Sequence, residues 1–129
     1  IDSGVKFHSE PIMKSKNDAH FSGREFIYGL PETNKAAIEK ATAIANPGCF
    51  ATAIQLTLLP LAKAAKLTET VHVNATTGST GAGVSLSPTT HFTWRNNNLS
   101  WYKPFTHQHL GEIGETIGHL QGNDVDVLF

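Results

Sequence analysis

One cysteine occurs in the chain, Cys49, directly after Asn46-Pro47-Gly48 and at the head of an apolar stretch. In the first turn of a helix, its sulfur would sit at the positive end of the macrodipole, beside amides that no helical carbonyl reaches. Both effects favour thiolate over thiol, and the thiolate is the form that attacks carbon. Gly48 lets the backbone pass close to a ligand, and Pro47 stiffens the approach. The alternative is a small buried hydrophobe, a common fate of a lone cysteine.

His107-Gln108-His109 with Glu112 forms a second group. Histidines two apart on an extended segment point the same way, and Glu112 returns on the first turn of a following helix. One of the two imidazoles can then serve Cys49 as general acid or base. A metal site is the competing reading, which would need further ligands such as His91 and His72. A third reading is a pair of surface loop histidines. The remaining histidines, His8, His20 and His119, read as structural. Gly78-Ser79-Thr80-Gly81-Ala82-Gly83 is a third group, able to aim backbone N–H groups at an anion. Its glycines miss the G-x-G-x-x-G spacing and no Gly-Lys-Ser/Thr follows, so spacing alone makes it a plain turn.

The elements that must position these groups follow from periodicity. Residues 1–7 read as a short strand and 15–24 as a polar loop. Phe26-Ile27-Tyr28 is a brief apolar run closed by a turn at Gly29-Leu30-Pro31-Glu32. Thr33 or Asn34 is placed to cap a helix over 35–42, with Ala37, Ala41 and Ile44 on its buried side. Ala43-Ile44-Ala45 reads as a buried strand end. A helix apolar nearly all round is expected over 49–66, kinked or split by Pro60 near Leu59. Residues 70–76 alternate as a half-buried strand, with Val71, Val73 and Ala75 on one face. Residues 84–90 read as irregular, and 91–94 as a strand that 101–106 can pair with. Residues 110–120 carry Ile113, Ile117 and Leu120 at helical spacing, although Gly111, Gly114 and Gly118 weaken that helix. Helices interleave with strands, so the expected class is α/β to α+β with a mixed sheet.

Composition bounds the function. The chain has 129 residues, 40% hydrophobic and 16% charged, which suits one soluble globular domain. The net charge of -1 and the lack of a basic block argue against nucleic acid or an acidic membrane surface as partner. No apolar run reaches a membrane span, and a lone cysteine fits a reducing cytoplasm. The start at Ile1 and the apolar run Val125-Asp126-Val127-Leu128-Phe129 at the end suggest a piece of a longer chain.

Four motifs occur in order: Tyr28-Gly29-Leu30-Pro31-Glu32, Ala45-Asn46-Pro47-Gly48-Cys49-Phe50, Gly78-Ser79-Thr80-Gly81-Ala82-Gly83, and His107-Gln108-His109-Leu110-Gly111-Glu112-Ile113. Together they resemble the N-acetyl-gamma-glutamyl-phosphate reductases, relatives of aspartate-semialdehyde dehydrogenase, over residues 26–114. The resemblance implies NADPH-dependent reduction of N-acetyl-gamma-glutamyl phosphate to the semialdehyde, in arginine biosynthesis. It makes Cys49 the nucleophile of a thioester, His109 the acid/base, and His107 the second candidate or a substrate ligand. It puts Asn46, Glu112 and Ser79 at the substrate, with Glu112 holding either substrate or a histidine. Gly78, Ser79, Thr80, Gly81, Ala82 and Gly83 are implied at the NADP(H) cofactor.

Such chemistry needs no metal, and helix N-terminal amides suit the charge that develops on the acyl oxygen. The implied fold is a glyceraldehyde-3-phosphate-dehydrogenase-like catalytic domain, with most of the Rossmann half absent. Residues 1–45 would end the cofactor domain, and 46–129 would begin the catalytic and dimerisation domain of a cytoplasmic homo-oligomer. The piece alone would be inactive. Gly111 stands where the family more usually has proline, which loosens the helix start before Glu112. An N-succinyl-specific version of the reaction and a non-redox Cys/His hydrolase or acyltransferase are the alternatives.

Overall fold

The computed structural model describes residues 26–82 and 86–129. The strand expected over 1–7, the loop over 15–24, and Gly83 lie outside the described residues. Strand β1 (Ile27–Tyr28) leads through helix α1 (Pro31–Ile38) into β2 (Ile44–Ala45). Helix α2 (Cys49–Lys63) and β3 (Val71–His72) follow. A long connection then carries two 3-10 turns, Ser79–Ala82 and Pro88–Thr90, and the one-turn helix α3 (Phe92–Arg95). Helix α4 (Leu110–Gln121) and β4 (Val127–Leu128) close the chain.

Helices and strands interleave as expected, but no mixed sheet forms among the described residues. β1 pairs parallel with β2, and β3 pairs parallel with β4, as two separate ladders. Parallel neighbours need a crossover, and α1 and α4 lie on the two crossovers.

Helix α1 starts earlier than its capping residues suggest. Leu30 is the N-cap and Pro31 takes the first helical position, where its missing N–H costs nothing. Thr33 and Asn34 turn back instead. The Thr33 hydroxyl donates to the Leu30 carbonyl at 3.1 Å, and Asn34 Nδ2 donates to the Tyr28 carbonyl at 3.0 Å. Asn34 leaves helical geometry to do so (φ -124°, ψ 18°). No α1 residue is buried, so the expected apolar face at Ala37 does not form.

The core is the seam between α2 and α4. Ala51, Ile54, Leu58 and Ala62 of α2 meet Ile113 and Ile117 of α4, with Leu67 and Val127 at the edge. Tyr28, Leu30 and Leu59 form a neighbouring cluster that ties β1 to the other flank of α2. α2 is therefore one-sided rather than buried all round: Leu56 and Leu61 remain exposed. Pro60 neither splits nor ends it. The helix continues to Lys63, because the buried side chains Leu58, Leu59 and Ala62 hold both sides of the proline in place. α4 forms despite its glycines, since Ile113 and Ile117 are fully buried, and it stops at Gly122 in the left-handed conformation (φ 86°).

Two aromatic stretches depart from expectation. Where a strand over 91–94 is expected, Phe92–Arg95 form one helical turn, and 103–106 bend and turn. Lys103 and Phe105 both have positive φ there, which no strand allows. Phe92, Trp101, Tyr102 and Phe105 are exposed, so these aromatics have no sheet face to alternate against. The strand over 70–76 shortens to two paired residues, although Val71 and Val73 still pack on the core. Ile113 supports both helices, and Ile113→Ala should lower stability by about 2–5 kcal/mol in denaturant titration.

Candidate active site

Cys49 is the first residue of α2, and its side chain is exposed. Gly48 is the N-cap in extended conformation, and no side chain caps the helix. The first amides of α2 therefore open toward the space beside the thiol. Thr52 closes the turn from below: its N–H and its hydroxyl both donate to the Gly48 carbonyl, each at 2.8 Å.

The backbone angles of Gly48 suit any residue (φ -66°). What demands glycine is space, since a methyl group there would overlap the His109 imidazole at Nε2. The close approach expected at Gly48 is thus made by a histidine. His109 is the N-cap of α4 in helical geometry, so the pair sits on a turn rather than an extended segment. The two rings still face one interior, with centroids 4.7 Å apart. Both are 4% exposed, which removes the reading of surface loop histidines.

His107 Nδ1 accepts the His109 N–H at 3.2 Å. Its ring packs against Phe50, Tyr102 and Phe129. Burial, and next the Lys103 ammonium nearby, push the His107 imidazole below its ordinary pKa. Lys103 itself is held by Gln108, donating to Oε1 at 2.8 Å.

Glu112 is 3% exposed and lies in the first turn of α4. Its Oε1 accepts the Tyr28 hydroxyl at 2.6 Å and the Gly48 N–H at 3.2 Å. Tyr28 Oη also lies 3.1 Å from Gln55 Oε1. Gln55 Nε2 donates to the Glu112 carbonyl at 3.2 Å and to Thr116 Oγ1 at 3.4 Å. Thr116 in turn donates to the Glu112 carbonyl at 3.0 Å. Burial first, then the hydrogen bond and charge of Glu112, push the Tyr28 phenol far up, so it remains a donor.

Cys49, His107, His109 and Glu112 thus gather at the junction of α2 and α4. Asn46 is exposed on the approach to Cys49, and its Nδ2 donates to the Pro47 carbonyl at 3.3 Å. Gly78, Ser79, Thr80, Gly81 and Ala82 form an exposed 3-10 turn, with the Gly81 N–H donating to the Gly78 carbonyl at 3.2 Å. His72 and His91 are exposed, and His91 Nδ1 bonds the Thr93 hydroxyl at 2.9 Å. Among the described residues, no three His, Cys, Asp or Glu side chains converge on a metal position. No helix of the described residues is long and apolar enough to cross a membrane.

Sequence reasoning misses Gln55 and Thr116, and treats Tyr28 only as part of a motif. Gln55 carried a usable signal. It is the one amide on the apolar face of α2, and a fully buried amide must find partners.

An interleaved helix–strand core thus places an exposed cysteine at the head of α2 beside two buried histidines. The chain belongs to the semialdehyde dehydrogenase family, matching its dimerisation domain over residues 49–129. It is 69% identical over 130 residues to the N-acetyl-gamma-glutamyl-phosphate reductase of Flavobacterium johnsoniae, covering 100% of this chain and 38% of that protein. It is 63% identical over 112 residues to the enzyme of that name from Parabacteroides distasonis, covering 85% of this chain and 35% of that one. The Christiangramia forsetii enzyme of the same name is 62% identical over 98 residues, 76% of this chain and 30% of that protein. The matched parts of the chain therefore span about a third of the length of these relatives.

The depressed His107 pKa has a stability consequence. Its folded-state value lies below the unfolded one, so the folded chain resists protonation. The contribution is present above about pH 6.5 and is lost as pH falls through the folded-state value. The denaturation midpoint should drop between pH 7.5 and 5.5, and His107→Asn should flatten that slope.

Proposed function

We propose that this chain is part of an NADP-dependent acyl-phosphate reductase. It converts N-acetyl-gamma-glutamyl phosphate to N-acetyl-glutamate semialdehyde with release of phosphate, in arginine biosynthesis. The observation that carries this is the packing of His109 Nε2 against Gly48, one residue before an exposed thiol at a helix N-terminus. The names of the relatives supply the substrate.

An acyl phosphate is already activated, so one nucleophile and one proton carrier suffice. His109 takes the thiol proton as Cys49 Sγ attacks the acyl carbon. The bond from that carbon to the phosphate oxygen breaks, phosphate leaves, and a thioester remains on Cys49. Amides at the start of α2 stabilise the oxyanion that precedes it. NADPH, when bound, supplies a hydride to the thioester carbon. His109 returns its proton to the resulting alkoxide, giving a thiohemiacetal. It then takes the hydroxyl proton back as the C–S bond breaks, which releases the aldehyde and restores the cysteine.

His109 is preferred to His107 on electrostatic grounds. Burial and Lys103 hold His107 neutral, so it serves as an acceptor that orients its neighbour. A neutral His107 also spares a protonated His109 a like charge 4.7 Å away.

The Ser79–Ala82 turn fits a role beside the nicotinamide and substrate. It is exposed, and a Cβ at Gly78 would meet nothing closer than Thr80 Oγ1 at 3.6 Å, which leaves an open face for a planar ring. Gly78 to Ala82 would line it, with Ser79 and Asn46 reaching the substrate. On this reading residues 1–45 end the cofactor domain, and 46–129 begin a glyceraldehyde-3-phosphate-dehydrogenase-like catalytic domain. The enzyme is a cytoplasmic homo-oligomer, and this chain alone is inactive.

In the full-length protein, Cys49→Ala should abolish NADPH oxidation that depends on acyl phosphate. His109→Asn should lower kcat by about 10²–10⁴-fold and His107→Asn by less. Full activity in Cys49→Ala removes the nucleophile assignment, and the reverse histidine order moves the proton carrier to His107. Acyl phosphate cleavage at full rate without NADPH or reduction would mark a hydrolase instead.

A further inference from the structure

We propose that Tyr28 is a positioning residue for the catalytic turn, acting through Glu112 on the backbone of Gly48. The kinetic part of this rests on the reductase reading. Glu112 does not face outward toward a substrate; its Oε1 takes the Tyr28 hydroxyl at 2.6 Å and the Gly48 N–H at 3.2 Å. These donors lie 84 and 64 positions away along the chain. The three groups therefore clamp β1, the turn before Cys49, and the first turn of α4 to one another.

The clamp meets the site at its tightest point. Gly48 touches the His109 ring on one side and precedes Cys49 on the other. A shift of Gly48 therefore changes the relation of thiol to imidazole directly. A buried carboxyl oxygen needs its donors. Without the phenol, Oε1 loses its shorter bond and one of the contacts that fix its position, which loosens its hold on the Gly48 amide. Gln55 and Thr116 hold the Glu112 backbone carbonyl from the far side, which fixes the point on α4 from which its side chain reaches Gly48.

Tyr28→Phe isolates the effect, because the ring that packs on Leu30 and Leu59 is retained. In the full-length protein, kcat should fall about tenfold with KM for the acyl phosphate within about twofold, as expected for misplaced reacting groups. Alkylation of Cys49 by iodoacetamide, followed by mass spectrometry, should slow by a similar factor. Glu112→Ala supplies the decisive background. It removes the oxygen that both the Gly48 amide and the phenol use, so adding Tyr28→Phe should then have little further effect on the alkylation rate. Wild-type kcat and alkylation rate in Tyr28→Phe overturn the proposal. So does an equal loss in both backgrounds, since Tyr28 would then act independently of Glu112. If the wild-type protein reduces no acyl phosphate, the reductase reading fails, and the alkylation cycle alone decides the role of Tyr28.

Discussion

A single carboxylate oxygen, Glu112 Oε1, holds together the parts of the chain that make the site. It accepts from a strand side chain and from the amide that opens the cysteine helix. Hydrogen bonds to a charged group contribute about 1.5–3 kcal/mol each when buried. The apolar seam beside it is of similar weight, since burying Ile113 and Ile117 stabilises by about 1.5–3 kcal/mol apiece. The two contributions do different work. Apolar contact is non-directional and lets two helices slide. The directional bond from the Gly48 N–H to Glu112 on α4 sets one position along the seam. That position brings the His109 ring against the glycine.

The two neighbouring histidines sit in different environments. His107 packs against Phe50, Tyr102 and Phe129, and its burial, with the Lys103 charge nearby, disfavours protonation. His109 lies against a residue that has no side chain, at the mouth of the cysteine helix. Two imidazoles so close cannot both carry charge at low cost.

Much of the site is legible in the sequence, because its parts are local. A glycine, a cysteine and an apolar run announce the start of α2, and three residues at helical spacing announce α4. The histidine pair and Glu112 follow from that second helix. Long-range polar contacts leave no periodic trace. Nothing at Tyr28 indicates a bond to residue 112, and the partner of Gln55 is settled only when α2 packs on α4. Local competition explains the errors in the elements. Asn34 bonds back to the strand instead of capping a helix, and Pro31 takes the helix start. At 91–106 the aromatic content resembles a strand, while left-handed residues at Asn97, Lys103 and Phe105 turn the chain away from one. Pro60 is tolerated because packing on α4 and on Leu30 outweighs a lost helical bond.

In the mechanism proposed above, Cys49 carries the acyl group and His109 handles proton transfer from across the turn. The most direct measurement is acid quenching of the full-length protein mixed with N-acetyl-gamma-glutamyl phosphate in the absence of NADPH, followed by peptide mass spectrometry. The account predicts an acetylglutamyl adduct on the peptide containing Cys49, which disappears as aldehyde forms when NADPH is added. Reduction of the acyl phosphate with no adduct at Cys49, or with the adduct on another residue, would contradict it.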